Sequence, residues 1–196
     1  MSDPAKLSQQ IEQLSAANRS KAADYIAFLL WQEEQRQLPE INSWSYSLIE
    51  AFKGASVYAS QDPAGMDVKL AQATVGGQSQ PALWAHPPLM GQAIIEYHLP
   101  VPQQVNTIRL HLSFGIRDGA QISDDNLIAF SVRINGIRVW GQQTNAQQWQ
   151  PATIPLDLPV GDMVRLELTT ETLGSHEWTW AVWGTPELTG KGNGAK

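Results

Sequence analysis

The residues IAFSVRINGIRVW (128–140) predict two antiparallel strands joined by a two-residue turn. In the first half of this stretch apolar residues alternate with small or polar ones, the period expected when one face of a strand is buried. Asn135-Gly136 is the strongest short hairpin signal, because both central residues of a type I′ turn need a positive φ. The partner strand follows the turn, with Ile137 and Val139 expected to point inward.

The same alternation recurs along the chain, and no helical pattern separates the apolar segments. Such a series of short strands, each with one apolar face, is typical of a two-sheet sandwich. In the last expected strand, 178–183, Trp178 and Trp180 fall on the face expected to lie in the core, and Trp183 falls on the opposite face. The further strands are expected at 108–114, 164–168 and 178–183, with weaker ones at 66–75, 92–99 and 149–156.

The N-terminal part of the chain has helical spacing instead. Residues 5–37 contain neither Pro nor Gly, and we expect two helices, at about 6–14 and 16–36, or one bent helix. Ser15 is expected to cap the second part. The apolar face of so short a segment must pack on the following domain or on another chain. Its candidate partner contacts are Tyr25, Phe28 and Leu29.

Three regions follow from these patterns. We expect a helical leader at 1–39, a β-sandwich domain at 40–188 and a disordered tail at 189–196. The fold class is therefore mainly β, a sandwich preceded by one or two α-helices. Residues 40–62 have no clear pattern.

Composition excludes several classes of protein. The chain has 196 residues, no Cys, 13 basic and 19 acidic side chains, and a net charge of −6. The negative charge argues against nucleic acid as a partner, and the lack of Cys removes disulfides and thiolate chemistry. The first residues lack the basic end and apolar run of a signal peptide. Tyr25–Trp31 is the longest apolar stretch and is too short for membrane insertion. We expect a cytoplasmic protein.

Several short sequence segments, taken in order, resemble those of the galactose-binding-like jelly-roll domains, and among them those of the NPCBM-type modules found beside glycoside hydrolases. The resemblance covers about residues 66–188 and implies a jelly-roll sandwich with a carbohydrate ligand. The leader resembles, over DYIAFL (24–29), a helical motif of antitoxin-like proteins. The sequence segments that resemble the jelly-roll domains are WAHPP (84–88), GQAIIEYHLPVP (91–102), LHLSFGIRDGA (110–120), IAFSVRINGIRVW (128–140), LDLPVGDMVRLELTTE (156–171) and WAVWGTPEL (180–188).

Aromatic rings in loop or strand-edge positions are the candidate ligand contacts. Exposed rings stack on the apolar faces of sugars, and polar side chains beside them bind hydroxyls. Trp84 and Trp149 are the candidate platforms, with His86, Arg117 and Asp118 alongside. The alternative for both rings is packing inside the protein or contact with another protein.

One acidic loop could hold a cation. Asp118, Asp124 and Asp125 supply the carboxylate oxygens that calcium prefers. Asp118-Gly119 is equally explained as a turn, since Asp accepts backbone hydrogen bonds and Gly takes a positive φ. Apart from this calcium no cofactor is expected.

Three arginines alternate with the apolar residues of the strands and are therefore expected to point outward: Arg109, Arg133 and Arg165. They are candidates for contact with an acidic protein partner, because the planar guanidinium binds carboxylates in pairs of hydrogen bonds. The alternative is a solvated face.

The sequence contains no nucleophile or phosphate-binding motif such as G-x-S-x-G or G-x-x-x-x-G-K-[ST]. We therefore expect a non-catalytic protein, and the leading hypothesis is an intracellular protein-interaction or assembly factor. The nearly equal alternative is a carbohydrate-binding module. A hydrolase that uses the acidic loop and a histidine is the third.

Overall fold

The computed structural model describes residues 9–35, 43–59, 67–175 and 177–192. The chain divides into two compact units, Met1–Pro39 and Glu40–Lys196, and each is described by itself.

The first unit is helical. Residues 9–12 form a short helical segment, and helix α1 spans Ala16–Gln35. Ser15 separates the two, as predicted: its Oγ accepts a hydrogen bond from the amide of Asn18 at 3.4 Å. Phe28 is a buried apolar side chain of α1, 5% exposed, with its ring centroid 5.8 Å from that of Trp31. Among the described residues, no helix is both long and apolar enough to cross a membrane.

The second unit is a sandwich of two antiparallel sheets, which confirms the predicted fold class. The strands are β1 Ser43–Ser47, β2 Ser56–Tyr58, β3 Lys69–Val75, β4 Gln78–Trp84, β5 Gln92–Pro100, β6 Val105–Ile116, β7 Ile128–Ile134, β8 Ile137–Thr144, β9 Gln150–Leu156, β10 Met163–Thr172 and β11 Ala181–Gly192. Sheet A has the order β3-β4-β11-β6-β9, with β1 also paired to β11, and sheet B has the order β2-β5-β10-β7-β8. A 3₁₀ helix, Glu50–Gly54, lies between β1 and β2.

Aromatic rings from both sheets meet in the centre of the sandwich. The ring of Phe130 in sheet B lies 5.0 Å from Phe114 and 5.0 Å from Trp183, both in sheet A. These three side chains are fully buried. Large rings that interlock across the two sheets supply much of the apolar area removed from water.

The predicted parity of the last tryptophans is wrong. Trp183 is 0% exposed, whereas Trp178 is 36% exposed and Trp180 is half-buried. The reason is that β11 begins at Ala181 rather than at 178. Trp178 precedes the strand and has a φ of 61°, outside the extended region, so the alternation counted from Trp178 does not extend into the strand.

The predicted hairpin turn is confirmed, with φ of 50° at Asn135 and 84° at Gly136. The inward positions assigned to Ile137 and Val139 are wrong, because these side chains are 71% and 44% exposed. A register shift in the β7–β8 pair leaves Val139 without a partner. Such a bulge interrupts the alternation, and β8 is an edge strand of its sheet.

The boundary of the predicted tail also changes. Residues 189–192, assigned to the tail, form the end of β11. Thr189 pairs with Ser45 of β1 on one side and with Arg109 of β6 on the other. Two neighbouring strands keep this segment in the sheet despite its glycines. Residues 193–196 lie outside the described part of the chain.

Candidate functional site: an aromatic and cationic cluster

Three strand ends of sheet A meet at one end of the sandwich. β4 ends at Trp84, which pairs with Val182, and β6 ends at Ile116, which pairs with Ala181. The segments that follow β4 and β6 and the segment that precedes β11 therefore lie next to each other. This arrangement brings together Trp84, His86, Arg117 and Trp180, three of them predicted ligand contacts.

Arg117 is held between two tryptophans. Its guanidinium carbon lies 3.3 Å from the centroid of the Trp84 ring and 5.2 Å from that of Trp180. Its amide donates a hydrogen bond to the Trp180 carbonyl at 3.0 Å. A guanidinium over an indole face is attracted by the ring quadrupole, and the attraction grows when the pair is partly desolvated. The cluster therefore has a fixed cation inside an aromatic frame.

The imidazole of His86 continues the stack. Its centroid lies 5.8 Å from Trp84 and 6.4 Å from Trp180, with interplanar angles of 18° and 11°. The pKa of His86 is lowered to about 4, mainly by burial; Asp67 opposes this shift, and Arg117 and Lys69 add to it. His86 is therefore neutral at pH 7. Its Nδ1 lies 4.0 Å from a carboxylate oxygen of Asp67, so this contact is not an ion pair at neutral pH.

Two buried polar atoms of the cluster lack a hydrogen-bond partner among the described residues: Trp84 Nε1 and His86 Nε2. A buried polar atom without a partner costs about 1–3 kcal/mol. Native proteins leave few such atoms, and a functional role is one of the explanations for those that occur. If the stack rearranged so that a hydroxyl group of a ligand could form hydrogen bonds with these nitrogens, this cost would be removed.

Trp178 extends the cluster toward solvent. Its ring lies 5.3 Å from that of Trp180, and its carbonyl accepts a hydrogen bond from the Trp180 amide at 2.8 Å. Asn126 Nδ2 donates to the carbonyl of Glu177 and so ties this loop to the preceding one. A non-glycine residue with positive φ persists only where its surroundings enforce it. Trp178 and Trp180 are not among the predicted ligand contacts, because the alternation in the sequence assigns both to the core.

The other two predicted ligand residues have structural contacts. The Asp118 carboxylate accepts hydrogen bonds from the amides of Gly76 and Gly77, at 2.7 and 2.8 Å. Trp149 Nε1 donates to the carbonyl of Gln78 at 2.9 Å. Both residues thus hold the tip of the β3–β4 hairpin, and their predicted ligand role stays a prediction. Trp149 and Trp84 pack on one small core formed by Ala73, Val75, Ala82 and Val182.

The predicted calcium site is not formed by its three carboxylates. Within the ranges that the structure describes, no group of three or more His, Asp or Glu side chains could hold a metal ion. Asp118 is already bonded to the hairpin amides, and Asp124 and Asp125 are exposed. The turn interpretation of Asp118 is the one that its contacts support.

The outward arginines do not share a face. Arg109 lies on β6 of sheet A, whereas Arg133 and Arg165 lie on β7 and β10 of sheet B. Because the two sheets pack through their inner faces, their outer faces point in opposite directions. One surface that contains all three is therefore ruled out, and a partner would meet Arg133 and Arg165 without Arg109.

No family model matches the sequence, and no curated protein does. Solved structures do match. Tandem CBM51 modules of a family 98 glycoside hydrolase from Streptococcus pneumoniae are 15% identical over 72% of this chain, with a TM-score of 0.49; the chain spans 48% of that structure. A CBM51 module from Clostridium perfringens GH95, in complex with methyl-galactose, is 15% identical over 74% of this chain and 99% of its own, with a TM-score of 0.47.

A family 35 carbohydrate-binding module from Clostridium thermocellum is 12% identical over 76% of this chain and 98% of its own, with a TM-score of 0.42. At such identities the likeness concerns the fold, and what each module binds is a property of that module.

Proposed function

We propose that this chain is a non-catalytic carbohydrate-binding module that receives a sugar residue at the aromatic and cationic cluster. The observation that carries the proposal is the exposed ring of Trp178, held in a left-handed conformation beside Trp180, the ring that Arg117 also contacts. An exposed indole offers an apolar face to the C–H groups of a sugar ring, and the polar groups around it fix the orientation.

Three kinds of group in the cluster suit a ligand with hydroxyls. The guanidinium of Arg117 has several donors in one plane. Trp84 Nε1 and His86 Nε2 have no protein partner among the described residues. The carboxylate of Asp67, 2.5 Å from Lys69 Nζ, is a hydroxyl acceptor. A single exposed ring suits one sugar residue, such as the end of a chain or a branch, rather than a long stretch of polysaccharide.

The proposal is tested by titrating the full chain with galactose, N-acetylglucosamine and glucose oligosaccharides in a calorimeter. A sugar that binds the wild type is expected to lose at least about tenfold in affinity with Trp178→Ala, because the stacking surface is removed. Val160→Ala is the matched control: Val160 is also exposed and apolar but lies in the β9–β10 loop. Equal affinity of Trp178→Ala and wild type would reject the cluster as the site.

Protein association is a second candidate function, and one observation favours it. Tyr25, Ile26, Leu29 and Leu30 are 59%, 41%, 40% and 61% exposed, and their spacing puts them on one side of α1. Exposed apolar patches of this kind serve as contact surfaces. We infer that this side binds a second copy of the chain. Sedimentation should then show a dimer that Leu30→Glu dissociates; a monomeric wild type would reject the inference.

A further inference from the structure

A groove of about 690 Å³ lies on the outer face of sheet B, and no residue of the cluster lines it. Its floor is low because small residues occupy neighbouring positions on two strands. Ser131 of β7 pairs with Gly141 of β8, and the next outward residue of β7 is Ala129. With little side-chain volume in the middle, the longer side chains around it form walls.

Two arginines form the wall at one end. Arg133 of β7 lies directly opposite Arg138 of β8, and like charges in that position repel. The neighbour of Arg133 on the other side is Glu167, but a carboxylate oxygen of Glu167 lies 3.4 Å from Arg165 Nε. No ion pair of Arg133 or Arg138 occurs among the described residues, and Arg133 Nε is buried without a hydrogen-bond partner. An anion between the two guanidiniums would relieve their repulsion.

The other end of the groove has a different chemistry. Glu171 accepts a hydrogen bond from Gln92 Nε2 at 2.8 Å, and Gln143 lies opposite Ala129. Ala129 and Arg133 are four residue steps apart on β7, about 13 Å along a strand. Carboxylate and amide groups at this end accept and donate hydrogen bonds to hydroxyls, while the charge of Glu171 repels an anion. The groove is therefore cationic at one end and suited to neutral hydroxyls at the other.

We propose that this groove is a second binding site, for an acidic oligosaccharide whose carboxylate lies between Arg133 and Arg138 and whose neutral sugar hydroxyls meet Glu171, Gln92 and Gln143. An oligosaccharide fits better than an acidic peptide, because the lining includes three amide side chains, those of Gln92, Gln142 and Gln143, which can pair with hydroxyls. The site uses none of the residues proposed to bind sugar through Trp178, so either site can fail alone.

The probe is a hyaluronan hexasaccharide, in which acidic and neutral sugars alternate, titrated into the full chain by calorimetry. The expected result is binding that weakens at high salt and falls at least about tenfold with Arg133→Gln combined with Arg138→Gln, through the loss of charge-assisted hydrogen bonds. Arg109→Gln on the other sheet is the matched control and should bind like wild type. A carboxyl-reduced hexasaccharide should bind at least about tenfold more weakly.

A second variant tests the shape of the groove without changing charge. A Cβ at Gly141 meets no atom closer than 3.5 Å, so Gly141→Val is expected to fold and to fill the floor, abolishing binding. Trp178→Ala should leave hexasaccharide binding unchanged. The proposal is overturned if wild type does not bind, if folded Gly141→Val or the double variant binds like wild type, or if a hexaglutamate peptide binds equally well.

Discussion

The guanidinium carbon of Arg117 lies 3.3 Å from the centre of the Trp84 indole ring. The relationship joins the end of β4 to the segment after β6, because Arg117 directly follows the last residue of that strand. Arg117 therefore both stabilises the sandwich end and positions the rings of the proposed sugar site.

Replacing Arg117 with Lys separates the effect of stacking on the indole from the effect of the positive charge. Lysine keeps the positive charge but lacks the planar group that stacks on an indole. We expect Arg117→Lys to lower the free energy of unfolding by about 1–2 kcal/mol, the range of a partly desolvated cation–π contact, and to weaken sugar binding. Urea denaturation measures the first effect and calorimetry the second. Arg109→Lys, at an exposed position of β6, is the control, and an equal effect of the two substitutions would contradict the role of the stack.

Stability should also depend on the protonation of His86. Its pKa is about 4 in the folded chain against an ordinary 6.5, with burial as the main cause. Between these values the unfolded chain binds a proton that the folded chain does not, so stability rises with pH across this window. The neutral His86 ring contributes fully to the free energy of unfolding above pH 6.5. This contribution, on the order of 3 kcal/mol in total, is lost as the pH falls toward 4.

The measurement is urea denaturation of wild type and His86→Gln at several pH values from 7 down to 5, where most carboxylates remain ionised. The wild type should lose more stability than the variant over this range. Proton NMR of the wild-type His86 ring gives an independent reading, with a titration midpoint near pH 4. A midpoint near 6.5 would show that the ring is open to water.

The contacts of Asp118 predict a structural role for its carboxylate. Two charge-assisted hydrogen bonds to the amides of Gly76 and Gly77 are worth about 1.5–3 kcal/mol each. We expect Asp118→Ala to lower the free energy of unfolding by at least about 2 kcal/mol, with Asp118→Asn intermediate, since an amide oxygen still accepts. Asp124→Ala, at an exposed position, should have little effect. A loss of stability on adding EDTA to the wild type would instead support the calcium hypothesis.

The sequence predicts the architecture well because alternation and turn chemistry are local signals. Asn135-Gly136 takes the predicted turn conformation, and Ser15 makes a capping hydrogen bond. The cluster was harder to predict, because Trp84, Arg117 and Trp180 meet only through the pairing of β4, β11 and β6. The positive φ of Trp178 is enforced by tertiary contacts, and no local pattern indicates it.

Trp183 and Trp178 should respond oppositely to truncation, which tests the corrected parity of β11. Trp183 is fully buried between Phe114 and Phe130, and Trp183→Ala should lower the free energy of unfolding by about 3–5 kcal/mol through the cavity it leaves. Trp178→Ala, at an exposed ring, should cost at most about 1 kcal/mol while abolishing stacking with a ligand. Urea denaturation followed by circular dichroism measures both variants without relying on tryptophan fluorescence. If Trp178→Ala destabilised the chain as much as Trp183→Ala, the ring would belong to the core, and the proposed sugar platform would be lost.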